Sequence, residues 1–330
     1  MVWRALVTSR SFRSTPGKHW DILKDANIEV VDSGVPQTLT EDEMIAKMAD
    51  VDGALLGVDP VTARVVAAAH KLKAISRQGV GVDSVDLAAC SARGIIVTNT
   101  PGTSTASVAE LAMSLILAVL RHVPQLDHHV REGRWSRILG HELTGKTVGL
   151  IGFGRIAQAL ARMLQGFEVE LLYYDPYRPS REVEEALGAQ FLPLDELLSR
   201  ADVVSLHAML TDETRHLINA ETLALMRPSA LLVNTARGGL VDEDALATVL
   251  ENGGLAGAAV DVFDPEPPVG SRLLKLDNFI ATAHCGAYTA EANARVAVAA
   301  AQNLADALQG KRPPSTVNPE VFAQAGSLQG

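Results

Sequence analysis

The chain contains few residues of several types, and each shortage argues against a class of protein. Only two of its 330 residues are cysteine, Cys90 and Cys285, so neither a disulfide scaffold nor a metal site is predicted. Lys and Arg number 29 against 39 Asp and Glu, and the net charge of −10 argues against binding to nucleic acid or an anionic membrane. Aromatic residues make up only 4%, so aliphatic side chains must fill the core, which suits helices packed on a parallel sheet.

Long apolar segments are also missing. The longest one, residues 106–120, contains Glu110 and is shorter than the roughly 20 residues that a membrane span requires. No charged leader with an apolar stretch opens the chain, so the sequence predicts a cytoplasmic protein. Hydrophobic residues make up 47% and charged residues 21%, a composition typical of a folded globular protein, and the length suggests about two domains.

Short apolar, β-branched runs alternate with helical stretches, a pattern typical of α/β domains with parallel sheets. A second series of these runs, which begins near residue 146, is long enough for a complete doubly wound dinucleotide-binding sheet. Between the two series, residues 104–121 predict a helix that is apolar on nearly all sides. This helix is either a core helix of one domain or a helix between domains or subunits. The predicted strands span residues 5–7, 29–31, 54–56, 74–76 and 95–97, and then 147–151, 169–174, 203–207, 231–235, 258–262 and 279–282.

A glycine-rich turn links the strand predicted at 147–151 to a helix. Gly152 permits the tight turn, Gly154 lets a pyrophosphate approach the backbone, and the small Ala157 lets the helix pack closely on the strand. Asp175 ends the next predicted strand, where its carboxylate would accept hydrogen bonds from ribose hydroxyls and repel a 2′-phosphate. The pattern therefore predicts NAD rather than NADP, although nearby Arg178 leaves some use of NADP open. The alternative interpretation of Asp175 is an acid in a simple turn.

Three charged side chains follow other strands of the second series: Arg237, Glu266 and His284. Separately, each could be a turn residue, a loop acid or a structural histidine. Together they lie where a doubly wound sheet binds ligands, and they suit the oxidation of a 2-hydroxy acid. Arg237 would hold the substrate carboxylate, and His284 would take the hydroxyl proton as hydride leaves. Glu266 would orient the imidazole and favour its charged form.

The chain resembles the D-2-hydroxyacid dehydrogenase family, and within it the branch that oxidises 3-phosphoglycerate. The resemblance covers about residues 52–294. It rests on SRQGVGVD at 76–83, NTPG at 99–102, AEL at 109–111, GKTVG at 145–149, GFGRI at 152–156, VNTARGG at 233–239, VDVF at 260–263 and HCGA at 284–287.

This resemblance implies a fold of two doubly wound parallel-sheet domains. Residues 1–102 and 288–330 would form a discontinuous flavodoxin-like substrate domain, and residues 103–287 an inserted Rossmann domain that binds NAD. It also implies a homodimer through the helix near 104–121, and the same catalytic set of Arg237, Glu266 and His284. The implied cofactor contacts are Gly152, Gly154, Arg155, Ile156, Asp175, His207, Ala236 and Asp261, and the implied substrate contacts are Arg77, Gly79, Val80 and Arg137.

The family pattern is not followed everywhere. Ala283 and Met209 stand where the family often has proline, and the loop at 57–60 has no arginine where the phosphoglycerate branch would have one. Because Arg77 and Arg137 match cationic positions of that branch, 3-phosphoglycerate is the first candidate substrate, which would place the reaction at the start of serine biosynthesis. Glyoxylate, hydroxypyruvate or another 2-oxo acid is the alternative.

Two further expectations concern regulation. Longer phosphoglycerate dehydrogenases carry a C-terminal regulatory domain, and we expect no serine feedback through such a domain here. A remote alternative from another class of protein is an NADH-sensing corepressor, because such corepressors resemble these dehydrogenases. A chain that binds NADH but turns over no hydroxy acid would favour that interpretation.

Overall fold

Two parallel sheets, one in each of two units of the chain, organise the fold. A computed structural model describes residues 2–35 and 37–326, without the side chains of 324–326. Unit 1 comprises Met1–Ser104 and Ala287–Gly330, and unit 2 comprises Thr105–Gly286.

Unit 1 is built around a five-stranded sheet. Its elements are β1 (Trp3–Val7), α1 (Arg10–Ser14), α2 (His19–Asp25), β2 (Ile28–Asp32), α3 (Glu41–Met48), β3 (Gly53–Leu56), α4 (Ala63–Ala68), β4 (Ala74–Arg77), α5 (Leu87–Ala92), β5 (Ile96–Thr98), α13 (Ala290–Leu308) and α14 (Val321–Gly326). The strands lie in the order β2-β1-β3-β4-β5 and are all parallel. Successive residues of a strand point to opposite faces of the sheet, and both faces are buried. Leu6 and Ile75 pack on one face with α3 and α4, while Ala5 and Leu55 pack on the other with α13.

The C-terminal segment of the described chain covers the outer edge of β5. Asn318 is 1% exposed, and its Oδ1 accepts a hydrogen bond from the backbone N–H of Val97 at 2.8 Å. Its Nδ2 donates to the carbonyl of Ile95 at 2.9 Å, and the N–H of Val317 donates to the carbonyl of Val97. This pairing satisfies backbone groups that an edge strand would otherwise expose.

Unit 2 is built around a seven-stranded sheet. Its elements are α6 (Thr105–Leu120), α7 (Val123–Arg131), β6 (Thr147–Ile151), α8 (Arg155–Leu164), β7 (Glu170–Tyr174), α9 (Arg181–Leu187), β8 (Ala189–Phe191), α10 (Leu194–Arg200), β9 (Val203–Leu206), α11 (Ala220–Leu223), β10 (Leu231–Asn234), α12 (Glu243–Glu251), β11 (Gly257–Val260) and β12 (Phe279–Ala281). The strands lie in the order β12-β11-β10-β9-β6-β7-β8 and are all parallel. The direction of winding reverses between β6 and β9, which is where doubly wound sheets bind ligands.

The predicted fold class, two doubly wound parallel-sheet domains, is confirmed. One strand was not predicted: β8 adds a seventh strand to the six expected in the second series. It has only three residues, Ala-Gln-Phe, and no β-branched side chain, so its single aromatic residue is a weak strand signal. Strand β8 forms instead because it pairs with β7.

Helix α6 is a core helix of unit 2. Its buried residues pack on α8 and on the sheet, while Ala106, Glu110 and Ser114 form an exposed stripe at a spacing of four. The sequence of this helix is apolar on nearly all sides because most of its surface is buried. Among the described residues, no single helix is long and apolar enough to cross a membrane. Helices α6 and α7 taken together, with a bend of 63° between them, have the length and composition of a membrane span, but nothing else supports one.

Candidate active site

The glycine turn lies between β6 and α8, where backbone atoms approach too closely for any side chain. Gly152 has a φ of +85°, and a Cβ there would lie 2.5 Å from the backbone nitrogen of Ala208. A Cβ at Gly154, in contrast, would meet nothing within 4 Å, so open space lies beside the first turn of α8. The turn thus fits a pyrophosphate against the start of this helix, beside Arg155 and Ile156.

Asp175 follows β7 and holds the glycine turn in place. One carboxylate oxygen accepts the N–H of Phe153 at 2.7 Å, and the other accepts the N–H of Tyr177 at 2.7 Å. Each oxygen keeps a further lone pair that can accept a ribose hydroxyl. Because the acid and the open glycine turn lie together, the residues present fit NAD at this edge of the sheet.

His207 follows β9, on the other side of the reversal point. Its Nε2 lies 3.0 Å from the hydroxyl of Ser205, and its backbone N–H donates to the carbonyl of Ile151. Burial lowers the pKa of His207 to about 4, so the ring is neutral at physiological pH. A neutral ring can offer a hydrogen bond to a ribose without adding charge.

The turn after β10 carries Ala236 and Arg237. Asn234 is 1% exposed, and its carboxamide accepts the N–H of Ala236 at 3.0 Å and donates to the carbonyl of Arg237 at 2.8 Å. The next residue, Gly238, packs directly on the backbone of Phe263, which a Cβ at Gly238 would overlap. The Arg237 turn is therefore seated on the loop that follows β11.

His284 and Glu266 form a direct pair. Nδ1 of His284 lies 2.8 Å and 3.0 Å from the two carboxylate oxygens of Glu266, and the N–H of Phe263 donates to the same carboxylate at 3.1 Å. Burial raises the pKa of Glu266, but the hydrogen bond and charge of His284, with the charge of Arg237, bring the net pKa below its ordinary value. Glu266 is therefore ionised at neutral pH, and Nε2 of His284 is left for a ligand.

Asp261 holds the turn that carries His284. It is 1% exposed, and its carboxylate accepts the N–H of Cys285 at 2.9 Å, the N–H of Gly286 at 2.8 Å and the hydroxyl of Thr282 at 2.6 Å. His284 has a φ of +49°, a left-handed conformation that is uncommon for residues other than glycine. The hydrogen bonds to Asp261 stabilise this conformation, a task that the sequence did not indicate for it.

Glu243 is a further acid beside this loop that sequence reasoning missed. It begins α12, and its carboxylate accepts the N–H of Asp264 at 2.8 Å. Burial raises the pKa of Glu243, and the nearby negative charges of Asp264, Asp244 and Glu266 add to the increase. Its position in the sequence resembles an ordinary first-turn acid, so only the structure connects it with the loop of Glu266.

The candidate substrate loop of unit 1 follows β4. Gly79 exchanges hydrogen bonds with Thr100, and the side chain of Asn99 donates to the carbonyl of Val80 at 2.7 Å. The N–H groups of Val80 and Gly81 have no hydrogen-bond partner among the residues that the structure describes. They are available to an anionic ligand.

Two arginines predicted for the substrate lie in different units. In unit 1, Arg77 donates to the neighbouring carbonyl of Gln78 and lies over Gly79. In unit 2, Arg137 lies on an exposed segment between α7 and β6. In unit 2 the structure brings Arg237, Glu266 and His284 to one edge of the sheet, together with the glycine turn, Asp175 and His207.

Comparison with known proteins assigns the chain to a family. Residues 113–286 match the model described as "D-isomer specific 2-hydroxyacid dehydrogenase, NAD binding domain". A D-3-phosphoglycerate dehydrogenase of Methanocaldococcus jannaschii is 43% identical over 91% of this chain, which spans 58% of that protein's length. A glyoxylate reductase of Thermofilum pendens is 42% identical over 94% of both chains.

A solved structure agrees with these matches. The TT0316 protein of Thermus thermophilus superposes with a TM-score of 0.86 and 40% identity, covering 95% of this chain and 99% of that one. Both the sequence identities and the length of the match exceed what a shared fold alone would produce. The chain belongs to the D-isomer-specific 2-hydroxyacid dehydrogenases, a family of oxidoreductases that act on CH–OH groups, and its residues 113–286 match the family's NAD-binding domain.

Proposed function

We propose that the protein is an NAD-dependent dehydrogenase that oxidises the C2 hydroxyl of a small D-2-hydroxy acid and reduces the matching 2-oxo acid in reverse. The observation that best supports this is the His284–Glu266 pair beside the Arg237 turn, at the carboxyl edge of an NAD-binding sheet. A base, an acid that orients it and a cation for the substrate carboxylate are the groups that this reaction needs.

Each of the three side chains has its own task. Arg237 holds the substrate carboxylate and polarises the oxygen on C2, which fixes C2 for the transfer. Nδ1 of His284 is bonded to Glu266, so Nε2 takes the hydroxyl proton during oxidation and returns it during reduction. Bound NAD supplies the hydride acceptor. Glu266 stabilises the imidazolium that oxidation produces.

The substrate carboxylate also needs hydrogen-bond donors, and the loop after β4 offers them. We assign this contact to the N–H groups of Val80 and Gly81, in the loop that the side chains of Asn99 and Thr100 hold through hydrogen bonds to Val80 and Gly79. Arg77, in the same loop, would add a charge for the substrate tail. Arg137 is the second cation that we assign to the tail.

Two substrates are supported by different observations. The 43% identity with a D-3-phosphoglycerate dehydrogenase, together with Arg77 and Arg137, favours 3-phosphoglycerate. The full-length match to a glyoxylate reductase favours a small 2-oxo acid, as does the loop at 57–60. That loop has Asp59 and no arginine, whereas a phosphate gains most from several charge-assisted hydrogen bonds.

We also propose that the protein forms a homodimer through α6, the helix near 104–121, and the segment that follows it. None of the residues of α7 is buried, and Trp135 and Leu139, on the segment after it, are 88% and 89% exposed. Large apolar side chains at such exposure are typical of an interface, and a second copy of the chain would cover them. Sedimentation of the Trp135→Asp variant should give a lower mass than the parent. The cytoplasmic location stays a prediction.

The substrate test follows NADH absorbance with the purified protein. Initial rates of 3-phosphoglycerate oxidation are compared with rates of glyoxylate and hydroxypyruvate reduction, for the parent, for Arg77→Ala and for the control Arg64→Ala. Arg64 is an exposed arginine of unit 1 paired with Glu41, so its loss should change little.

The outcomes separate the candidates. If phosphoglycerate turnover is efficient and falls only in Arg77→Ala, 3-phosphoglycerate is the substrate. If the parent turns over 3-phosphoglycerate weakly but reduces glyoxylate or hydroxypyruvate strongly, the protein is a reductase with the same mechanism. Binding of NADH without turnover of any hydroxy-acid pair would contradict the proposal and favour an NADH-sensing role.

A further inference from the structure

An arginine closely follows, in the sequence, the acid that should face the cofactor ribose. Arg178 is three residues after Asp175, and the N–H of Tyr177 donates to Asp175, so the chain turns around this carboxylate. A guanidinium near the ribose acid is the usual means by which a dinucleotide-binding domain accepts the 2′-phosphate of NADP. From the sequence alone, Arg178 therefore leaves the use of NADP as a cofactor open.

In the structure, Arg178 is already engaged. Its Nη2 and Nε lie 2.7 Å and 3.2 Å from the same carboxylate oxygen of Glu184, on α9. Its guanidinium carbon lies 4.6 Å from the centre of the Phe191 ring, at the end of β8. The ion pair and the ring contact together hold the guanidinium over the edge of the sheet.

Glu184 is itself held in place by a buried tyrosine. Its side chain is 16% exposed, and it accepts a hydrogen bond from the hydroxyl of Tyr173, which is fully buried. Burial, together with Glu184, raises the pKa of Tyr173 to about 12, so this donor keeps its proton. The bonds from Tyr173 and Arg178 keep the pKa of Glu184 below its ordinary value, so the acceptor is ionised. Arg178 therefore pairs with a partly buried acid, unlike the pairs of a solvated surface.

We propose that Glu184 is a positioning residue for cofactor selectivity: it holds Arg178 and so withholds from NADPH the cation that its 2′-phosphate requires. NADPH must either break the Glu184–Arg178 pair or place a phosphate dianion near Asp175 without a counter-charge. NADH has no 2′-phosphate, so its binding does not require this cation. This inference goes beyond the proposed reaction, because it rests on the NAD-binding domain and not on the identity of the substrate.

The test measures binding, with NADH and NADPH titrated separately into the purified protein and followed by calorimetry. Glu184→Ala should tighten NADPH binding by roughly tenfold, the value of one charge-assisted hydrogen bond, and leave NADH binding within about twofold. Adding Arg178→Ala to this variant should remove the gain. Because no substrate is present, failure of the proposed reaction does not affect the result.

The matched control is Glu185→Ala. It removes the same charge from the same helix and frees Arg181 in place of Arg178, since Arg181 pairs with Glu185 at 2.7 Å. The proposal is overturned if NADPH binding is unchanged in Glu184→Ala, if Glu185→Ala tightens it equally, or if the gain survives without Arg178. If Glu184→Ala fails to bind NADH because it does not fold, Glu184→Leu carries the same test with a side chain of similar volume that accepts no hydrogen bond from Arg178, and unchanged NADPH binding in Glu184→Leu also overturns the proposal.

Discussion

Each unit buries an aspartate beyond the carboxyl ends of its strands, and the two aspartates have different partners. Asp261 in unit 2 is 1% exposed and holds the turn of His284 through two backbone N–H groups and the hydroxyl of Thr282. Asp59 in unit 1 is 3% exposed and accepts the hydroxyl of Thr8 and the N–H of Leu39. Both acids use their oxygens to fix loops, but only the loop of Asp261 carries a candidate reacting group.

Burial of an acid at a ligand-binding edge therefore does not by itself indicate chemistry. The positions of the acid's donors decide which process depends on it. Loss of Asp261 should disturb both stability and catalysis, because its donors lie on either side of the proton-transferring histidine. Loss of Asp59 should disturb stability alone, because its donors, Thr8 and Leu39, hold no candidate reacting group.

Among the variants that compare the two buried aspartates and their loops, the largest effect is expected from Asp261→Ala. It leaves the N–H groups of Cys285 and Gly286 buried without an acceptor and releases His284 from its left-handed conformation. We expect stability to fall by about 3 kcal/mol and kcat by about 100-fold, because a small displacement of the base is costly. Thermal unfolding and steady-state rates measure the two losses. Asp277→Ala, an exposed aspartate of the same unit, is the control, and an equal loss there would contradict the assignment.

Asp59→Ala should lower stability and leave catalysis nearly unchanged. The N–H of Leu39 and the hydroxyl of Thr8 lose their acceptor, so we expect a loss of about 2 kcal/mol in stability. The kcat should stay within about threefold of the parent below the unfolding temperature, because no candidate reacting group depends on Asp59. Calorimetry and NADH-coupled rates measure the two quantities. A fall in kcat as large as that of Asp261→Ala would remove the distinction between the two acids.

Glu266→Gln should change the pH dependence of the reaction. Glu266 is ionised at neutral pH because its pKa is lowered, and its charge favours the protonated form of His284. Without this charge the imidazole loses its proton more easily, so the pH profile of kcat should move to lower pH by about one unit. The rising limb of the pH profile for oxidation and the falling limb of the profile for reduction should both move to lower pH. A profile that keeps its midpoint in both directions would show that Glu266 does not act through His284.

The smallest effect is expected from Val58→Arg. Val58 is 52% exposed, so an arginine is tolerated in the loop that has Asp59 where the resemblance implies a cation. If the substrate tail is anionic and reaches this loop, kcat/KM for 3-phosphoglycerate should rise about fivefold while that for glyoxylate stays unchanged. Paired measurements on the two substrates test this. An equal change for both substrates would argue against a role of this loop in recognising the tail.

The sequence predicts much of unit 2, because its signals are local. The turn of Gly152 and Gly154, the acid Asp175 and the order of strand and helix are all read from neighbouring residues, and the fold class is confirmed. The assignments of Arg237, Glu266 and His284 stay predictions of function, although their placement at one edge agrees with the rule for doubly wound sheets.

The features that could not be predicted depend on partners distant in sequence. Asp59 and Leu39 are twenty residues apart, and no local pattern connects them. The hydrogen bond from the N–H of Asp264 to the carboxylate of Glu243 depends in the same way on the packing of two separate turns. Tertiary contact also forms the short strand β8 and supports the left-handed backbone of His284, which its own sequence disfavours.

The kcat of His284→Ala, measured together with its affinity for NADH, tests directly whether His284 transfers the proton. We expect kcat to fall by about 1,000-fold while NADH binds as in the parent, because the general base is removed and the glycine turn and Asp175 are untouched. The control His70→Ala, at an exposed position of unit 1, should keep full activity. If His284→Ala retained the parent's kcat, the proton would be transferred elsewhere and the assignment of this site would be wrong.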